Sequence, residues 1–334
     1  MKMSEFKHIL FIGLSLLVAF SSTSCKKDEE SESSLYLSGA PSFNLPKYGV
    51  PGQVITLKAS GVKDEDYNDP DYFWYLSTNS EKKDSVNTYT LILPDSLFNL
   101  KVTCSAYAEG YYNSTSTKTI SIVSDSRENG SIKGKILGKD DFTFTDPRDG
   151  KEYWCTTIGN KDWFKENLAY ASMGASLENC DATSNLFGHY YTWEEAVKAC
   201  PEGWRLCSNR DWADAAETLG TKVSDIMANI YGPAGDFLEN IYFNGECMWE
   251  YWPSMKITNK LGLCIMPTGF ADIMNGTATK FDGFMEYAVI WTSDIIDEEH
   301  GAYRYIYESK PNIMLGTADK THFGASVRCV RDHE

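Results

Sequence analysis

Histidine is scarce and scattered. The chain holds five, His8, His189, His300, His322 and His333, and none of its nine cysteines stands in a Cys-x-x-Cys pair. Protein zinc sites draw on close-set Cys and His ligands, so a zinc centre is not expected, nor any other metal or cofactor. Positive charge is also short: 31 Lys and Arg face 47 Asp and Glu, a formal net charge of −16. A surface of that sign repels phosphate backbones, which excludes nucleic acid as a partner. Gly-x-Ser-x-Gly, His-Glu-x-x-His, the phosphate loop and the dinucleotide fingerprint are all missing, so the expectation is that the chain is not an enzyme. Adjacent acids such as Glu194-Glu195 and Asp297-Glu-Glu299 are ordinary in so acidic a composition and read as solvated faces. The apolar run from Ile9 to Phe20, twelve residues, is too short to cross a bilayer comfortably as a helix.

That run has another use. Lys2 and Lys7 precede it, Ser21-Ser-Thr-Ser24 follows, and then comes Cys25. The order of charged, apolar and small segments before a cysteine resembles a bacterial lipoprotein signal peptide. The resemblance implies cleavage after residue 24 and a lipid on Cys25. Residues 25–36, with Lys26-Lys-Asp-Glu-Glu30 and Ser31-Glu-Ser-Ser34, are too polar to join a core and read as a disordered tether. Their charge order resembles the surface-export signal of Bacteroidota lipoproteins. That implies lipid anchoring (the palmitate class of acyl chain) in the outer membrane, on its extracellular face. An exported chain meets oxidising conditions, so disulfides are permitted.

Hydrophobic residues make up 42%, ample for packed cores, and the length suits two domains. Residues 37–124 read as all-β. Val54 to Ala59 alternates, Tyr72 to Leu76 is aromatic, Thr88 to Leu93 stops at Pro94, and Leu100 to Tyr107 and Thr117 to Val123 alternate again. Short runs at this spacing predict a sandwich. Trp74 on a central strand with Cys104 on a late one resembles an immunoglobulin-like domain of the PKD kind, a common spacer. The early strand has no cysteine, so Cys104 is expected as a buried thiol. The acidic loop Asp64 to Asp71 fails the EF-hand pattern, with Asp69 where glycine is needed and Tyr75 where glutamate is needed.

Residues 125–141 read as a linker and 142–334 as an α+β domain. Thr192-Trp-Glu-Glu195 is a capping box, and Trp193, Ala196, Val197 and Cys200 fall on one helical face. Ser208 caps a second helix carrying Trp212, Ala215, Ala216 and Leu219. Ala325, Val327 and Cys329 share one face of a closing strand. Cys200 and Cys329 thus both point inward, as a buried bridge requires. Among the aromatics, Tyr303, Tyr305 and Tyr307 share a face and read as sheet packing.

This part resembles the Fibrobacter succinogenes major paralogous domain, common in Bacteroidota lipoproteins. The matching residues include Asp149-Gly-Lys-Glu-Tyr153, Glu166-Asn-Leu168, Asn179-Cys180, Tyr191-Thr-Trp193, Cys200-Pro-Glu-Gly-Trp204-Arg-Leu206, Pro267-Thr-Gly269, Trp291-Thr-Ser293 and Val327-Arg-Cys-Val-Arg-Asp332. The helix, its cysteine and the last strand are similar, more distantly, to the C-type lectin-like fold, which implies a Cys200–Cys329 disulfide. Calcium-dependent sugar binding is not carried over, because Glu-Pro-Asn, Gln-Pro-Asp and Trp-Asn-Asp are all missing. Cys247 and Cys264 are expected as a second pair, and Cys155 has Cys180 or Cys207 as partner. Asn244, Trp249, Tyr251 and Trp252 are the ligand-binding candidates, since sugar C–H faces stack on aromatic rings while amides fix hydroxyls. The functional expectation is a surface-exposed lipoprotein acting as a non-catalytic binding module for extracellular glycan or protein. The alternative is a structural or assembly component of the envelope.

Overall fold

The computed structural model describes residues 35–334 except 65, 67, 84–86, 96–98, 124–140, 245, 250–254 and 308–309. The signal segment, Cys25, nearly all of the tether and linker, Tyr251 and Trp252 lie outside the described residues. Strands dominate, and the longest of the few helices has ten residues.

Two sheets face each other in the N-terminal domain. One has five strands in the order Tyr48–Gly49, Ser114–Ile122, Asn99–Tyr107, Asp71–Leu76 and Asn79–Lys83, and the other pairs Val54–Lys58 with Thr88–Ile92. Alternation explains the packing: Ile55 and Leu57 point inward while Val54, Thr56 and Lys58 face water. Trp74 is fully buried, edge-on to Phe43 at 5.1 Å and stacked on Tyr89 at 5.6 Å. Cys104 sits opposite Trp74 in register, and burial pushes its thiol up to about 12, so it behaves as a small hydrophobe. The acidic loop folds on itself: the Asp64 carboxylate accepts from Asp66 N–H at 2.9 Å and from Asn68 N–H at 2.8 Å.

The C-terminal domain is built on a five-stranded sheet in the order Asp141–Thr145, Glu152–Ile158, Lys161–Phe164, Cys329–Asp332 and Arg205–Leu206. The closing strand therefore lies inside the sheet. Two three-stranded sheets accompany it, Tyr287–Ile295, His300–Tyr307 and Met314–Asp319 in one, and Thr277–Asp282, Phe270–Met274 and Phe323–Gly324 in the other, with two short two-stranded pairings besides. Both expected helices form, Trp193–Ala199 and Asn209–Thr218, each with a complete capping box. The first differs from its expected face. Ala196 and Ala199 are its buried residues, Val197 is exposed, and Cys200 is already extended, because the helix ends before an eighth residue. In the second, Trp212 lies edge-on to Trp163 at 6.0 Å and stacks on Phe237 at 5.4 Å, filling the core. Tyr303, Tyr305 and Tyr307 form a half-buried ring ladder, with Tyr307 stacked on Tyr287 at 4.6 Å.

Cys200 and Cys329 are joined, with Cα atoms 5.7 Å apart and a sequence separation of 129. The other expected pairs do not form. Cys247 donates to Asn240 Oδ1 at 3.5 Å, whereas Cys264 is buried beside Asn259, 3.3 Å from its Nδ2. Cys155 faces the Tyr153 carbonyl at 3.7 Å and Cys207 the Trp291 carbonyl at 3.4 Å. Each of these thiols packs into its own environment, and those of Cys155 and Cys207 are pushed up by burial.

Two buried guanidiniums stiffen the domain. Arg328 donates to Asn167 Oδ1 at 2.8 Å and to the carbonyls of Phe164 at 3.0 Å and Leu263 at 2.7 Å. Arg304 reaches Asn209 Oδ1 and the Ala228 carbonyl, both at 2.7 Å. Desolvation pulls each of them down to about 10, still a charged group at neutral pH.

The two domains touch. Tyr48, Val50 and Val123 of the first pack into one cluster with Leu177, Phe187 and Phe243 of the second.

Candidate ligand-binding site

A cleft opens at this junction. Its N-terminal wall is the strand Tyr48–Gly49 and the turn after it, and its C-terminal wall is the chain from Glu178 through Asn185. Tyr48 and Val50 supply the apolar floor. Tyr48 is fixed edge-on against Phe243 at 6.1 Å, and its carbonyl accepts the Cys180 thiol proton at 3.2 Å. Above the floor stand Gln53, Glu178, Asn179 and Asp181, enclosing about 480 Å³. That lies within the 300–1,000 Å³ typical of small-molecule sites, which favour domain junctions.

The far wall is strained. Glu178 and Asn179 are consecutive residues in the left-handed region, at φ 55° and 51°. Each such non-glycine residue costs on the order of 1–3 kcal/mol and persists only where its surroundings hold it. Here Lys47 Nζ lies 2.5 Å from Glu178 Oε1, and Asn179 Nδ2 donates to the Ala278 carbonyl at 3.0 Å. Glu178 thus reaches across to the first domain, while the Asn179 amide is anchored within the second.

The electrostatics are negative. Burial first, then the charges of Glu178 and Glu246 with the neighbouring Cys180, push the Tyr48 phenol up to about 12. The Cys180 thiol is also raised, chiefly by burial, so at neutral pH it is protonated and a poor nucleophile. His189 is bonded on both nitrogens, to the Met173 carbonyl at 2.8 Å and Ser184 Oγ at 2.9 Å, and neither His189 nor Ser184 lines the cleft. The cleft itself thus offers hydrogen bonds, negative charge and an apolar surface. Among the described residues, no three His, Cys, Asp or Glu side chains converge as a metal site.

Residues 156–331, more than half of the chain, match the Fibrobacter succinogenes major domain. The chain belongs to that family. No curated protein matches it. The C-terminal wall of the cleft lies within the Fibrobacter succinogenes major domain, and the opposing wall lies outside it.

Of the four ligand candidates expected from sequence, Asn244 and Trp249 are among the described residues. Trp249 is buried at 3% exposure in the core of the Fibrobacter succinogenes major domain, its indole N–H donating to the Ile265 carbonyl at 3.3 Å. Met248 and Trp249, directly after the pairing of Tyr242–Phe243 with Glu246–Cys247, are both buried, a direction that composition does not show. Asn244 is the turn residue of that hairpin, at φ 47°, and its side-chain amide donates to the Ile122 carbonyl at 3.3 Å. It therefore bonds across the domain junction near the cleft. Tyr251 and Trp252 lie outside the described residues. Sequence reasoning missed Tyr48, Gln53, Glu178 and Asp181, since nothing local in either stretch announces a cleft that exists only once two domains dock.

Proposed function

We propose that this chain is a surface-exposed outer-membrane lipoprotein that works as a non-catalytic binding module for an extracellular glycan or protein. The signal-like segment ending at Cys25 and the charged tether support the location. Two facing sheets with Trp74 opposite Cys104 support an immunoglobulin-like N-terminal domain. A helix-end cysteine bridged to an inner closing strand supports a C-type lectin-like C-terminal one. The observation that carries the binding role is the junction cleft, where a tyrosine, amides and carboxylates converge without catalytic geometry.

Affinity electrophoresis of the full chain against a panel of polysaccharides, with pull-down from host and bacterial surface extracts, tests the reading. Retardation by a glycan, or stoichiometric capture of one extracellular protein, supports it. Recovery of envelope proteins alone points to an assembly role instead.

A further inference from the structure

The cleft has a charge bias that the general binding role leaves open. Glu178 and Asp181 line it and Glu246 acts on its tyrosine, so an anionic ligand meets repulsion. One ammonium already holds a carboxylate of the lining: Lys47 Nζ, 2.5 Å from Glu178 Oε1, on a side chain 67% exposed. An ion pair held from so exposed a position is weak and exchangeable, because freeing a long side chain to water recovers rotamer entropy. Hydrogen-bonding capacity surrounds it. Gln53 uses Oε1 on the Val50 N–H at 3.0 Å and Asn179 uses Nδ2 on the Ala278 carbonyl, which leaves Gln53 Nε2 as a donor and Asn179 Oδ1 as an acceptor. Asp181 adds a solvent-facing carboxylate, and Tyr48 and Val50 an apolar floor.

We propose that this cleft takes an amino-sugar unit of a glycan, whose ammonium replaces that of Lys47 on Glu178. Ring hydroxyls then meet Gln53, Asn179 and Asp181, and the apolar ring edge meets Tyr48. The exchange conserves the ion pair, so Lys47 is a built-in competitor for the ligand's cation. A lysine-bearing peptide offers the same ammonium on a long flexible stem that loses more rotamer entropy on binding than an amine fixed to a sugar ring, which favours the sugar. This inference rests on the binding-module reading and narrows it to one site and one charge class.

Calorimetric titration of the full chain with a glucosamine tetramer, its N-acetylated counterpart and tetralysine tests it. The glucosamine tetramer binds, less tightly as salt is raised, and the N-acetylated form binds at least roughly tenfold more weakly. Glu178→Gln weakens binding by roughly fivefold or more, while Lys47→Met strengthens it roughly threefold to fivefold. Melting temperatures of the variants within a few degrees of the parent establish that they fold. Equal binding of the acetylated oligomer, tighter binding of tetralysine, or indifference to both substitutions overturns the proposal. If the chain retains neutral glycans under those outcomes, the general binding role survives. If it captures neither glycan nor protein, both fall.

Discussion

Arg328 donates its Nε–H to Asn167 Oδ1 at 2.8 Å, joining residues 161 positions apart in the chain. Asn167 in turn donates to the Phe187 carbonyl at 2.9 Å, so one amide links the closing segment to the chain leading into the cleft wall. Replacing Asn167 with Ala leaves a buried cation short of an acceptor, which costs about 3 kcal/mol. Urea unfolding of the variant reads this directly, and a loss below about 0.5 kcal/mol contradicts it.

The Cys200–Cys329 bridge closes a loop of 129 residues' separation. In the chain-entropy view, a loop on the order of 100 residues contributes about 4–5 kcal/mol by restricting the unfolded state. Cys200→Ala with Cys329→Ala is expected to lower stability by that order in denaturant titration. Non-reduced peptide mapping of the parent should recover the two cysteines in one cross-linked fragment.

Phe243 holds the junction together, edge-on to Tyr48 at 6.1 Å and to Phe187 at 5.0 Å. Phe243→Ala removes the ring that both domains share, at a cost of about 3–4 kcal/mol. Calorimetry is then expected to resolve two transitions where the parent is expected to melt as one. A single unchanged transition would show that the domains do not stabilise one another.

Asp211 caps the second helix and pairs with Arg205, 2.6 Å from its Nη1. Burial alone would raise this carboxyl, but hydrogen bonds from Arg205 and Ser208 outweigh it, and the folded-state value falls below the ordinary 3.8. A depressed carboxyl stabilises the fold above its unfolded value and loses that contribution as pH falls through the folded one. Asp211→Asn should therefore lower stability by about 2 kcal/mol at neutral pH. The parent and variant curves should converge as pH falls through the folded-state value of Asp211, which lies below the ordinary one. Parallel curves at all pH values argue against the assignment.

Local signals were legible in the chain and tertiary ones were not. Thr192 announced its capping box and Ser208 its N-cap because both are signals of a few adjacent residues, whereas the part Asp211 plays in the second box emerged only in the structure. The bridge between Cys200 and Cys329 followed from a family resemblance, and two inward-facing positions agreed with it. The remaining cysteines misled, because in a packed interior a thiol serves as a small apolar group as readily as a cross-link. Trp249 misled for a similar reason: an aromatic-rich segment says that rings will be buried or stacked, not on which side of a hairpin. The cleft was invisible because Tyr48 and Glu178 come together only when Val50 and Val123 seat against Phe187 and Phe243.

The strand Cys329–Asp332 runs between Lys161–Phe164 and Arg205–Leu206, so a sheet whose first strand starts at Asp141 is closed by residues from far along the chain. Without it Lys161–Phe164 keeps only Glu152–Ile158, and Arg205–Leu206 has no strand partner among the described residues. Pairings of such sequence separation form slowly, which makes the seating of Arg205–Leu206 a late step in folding.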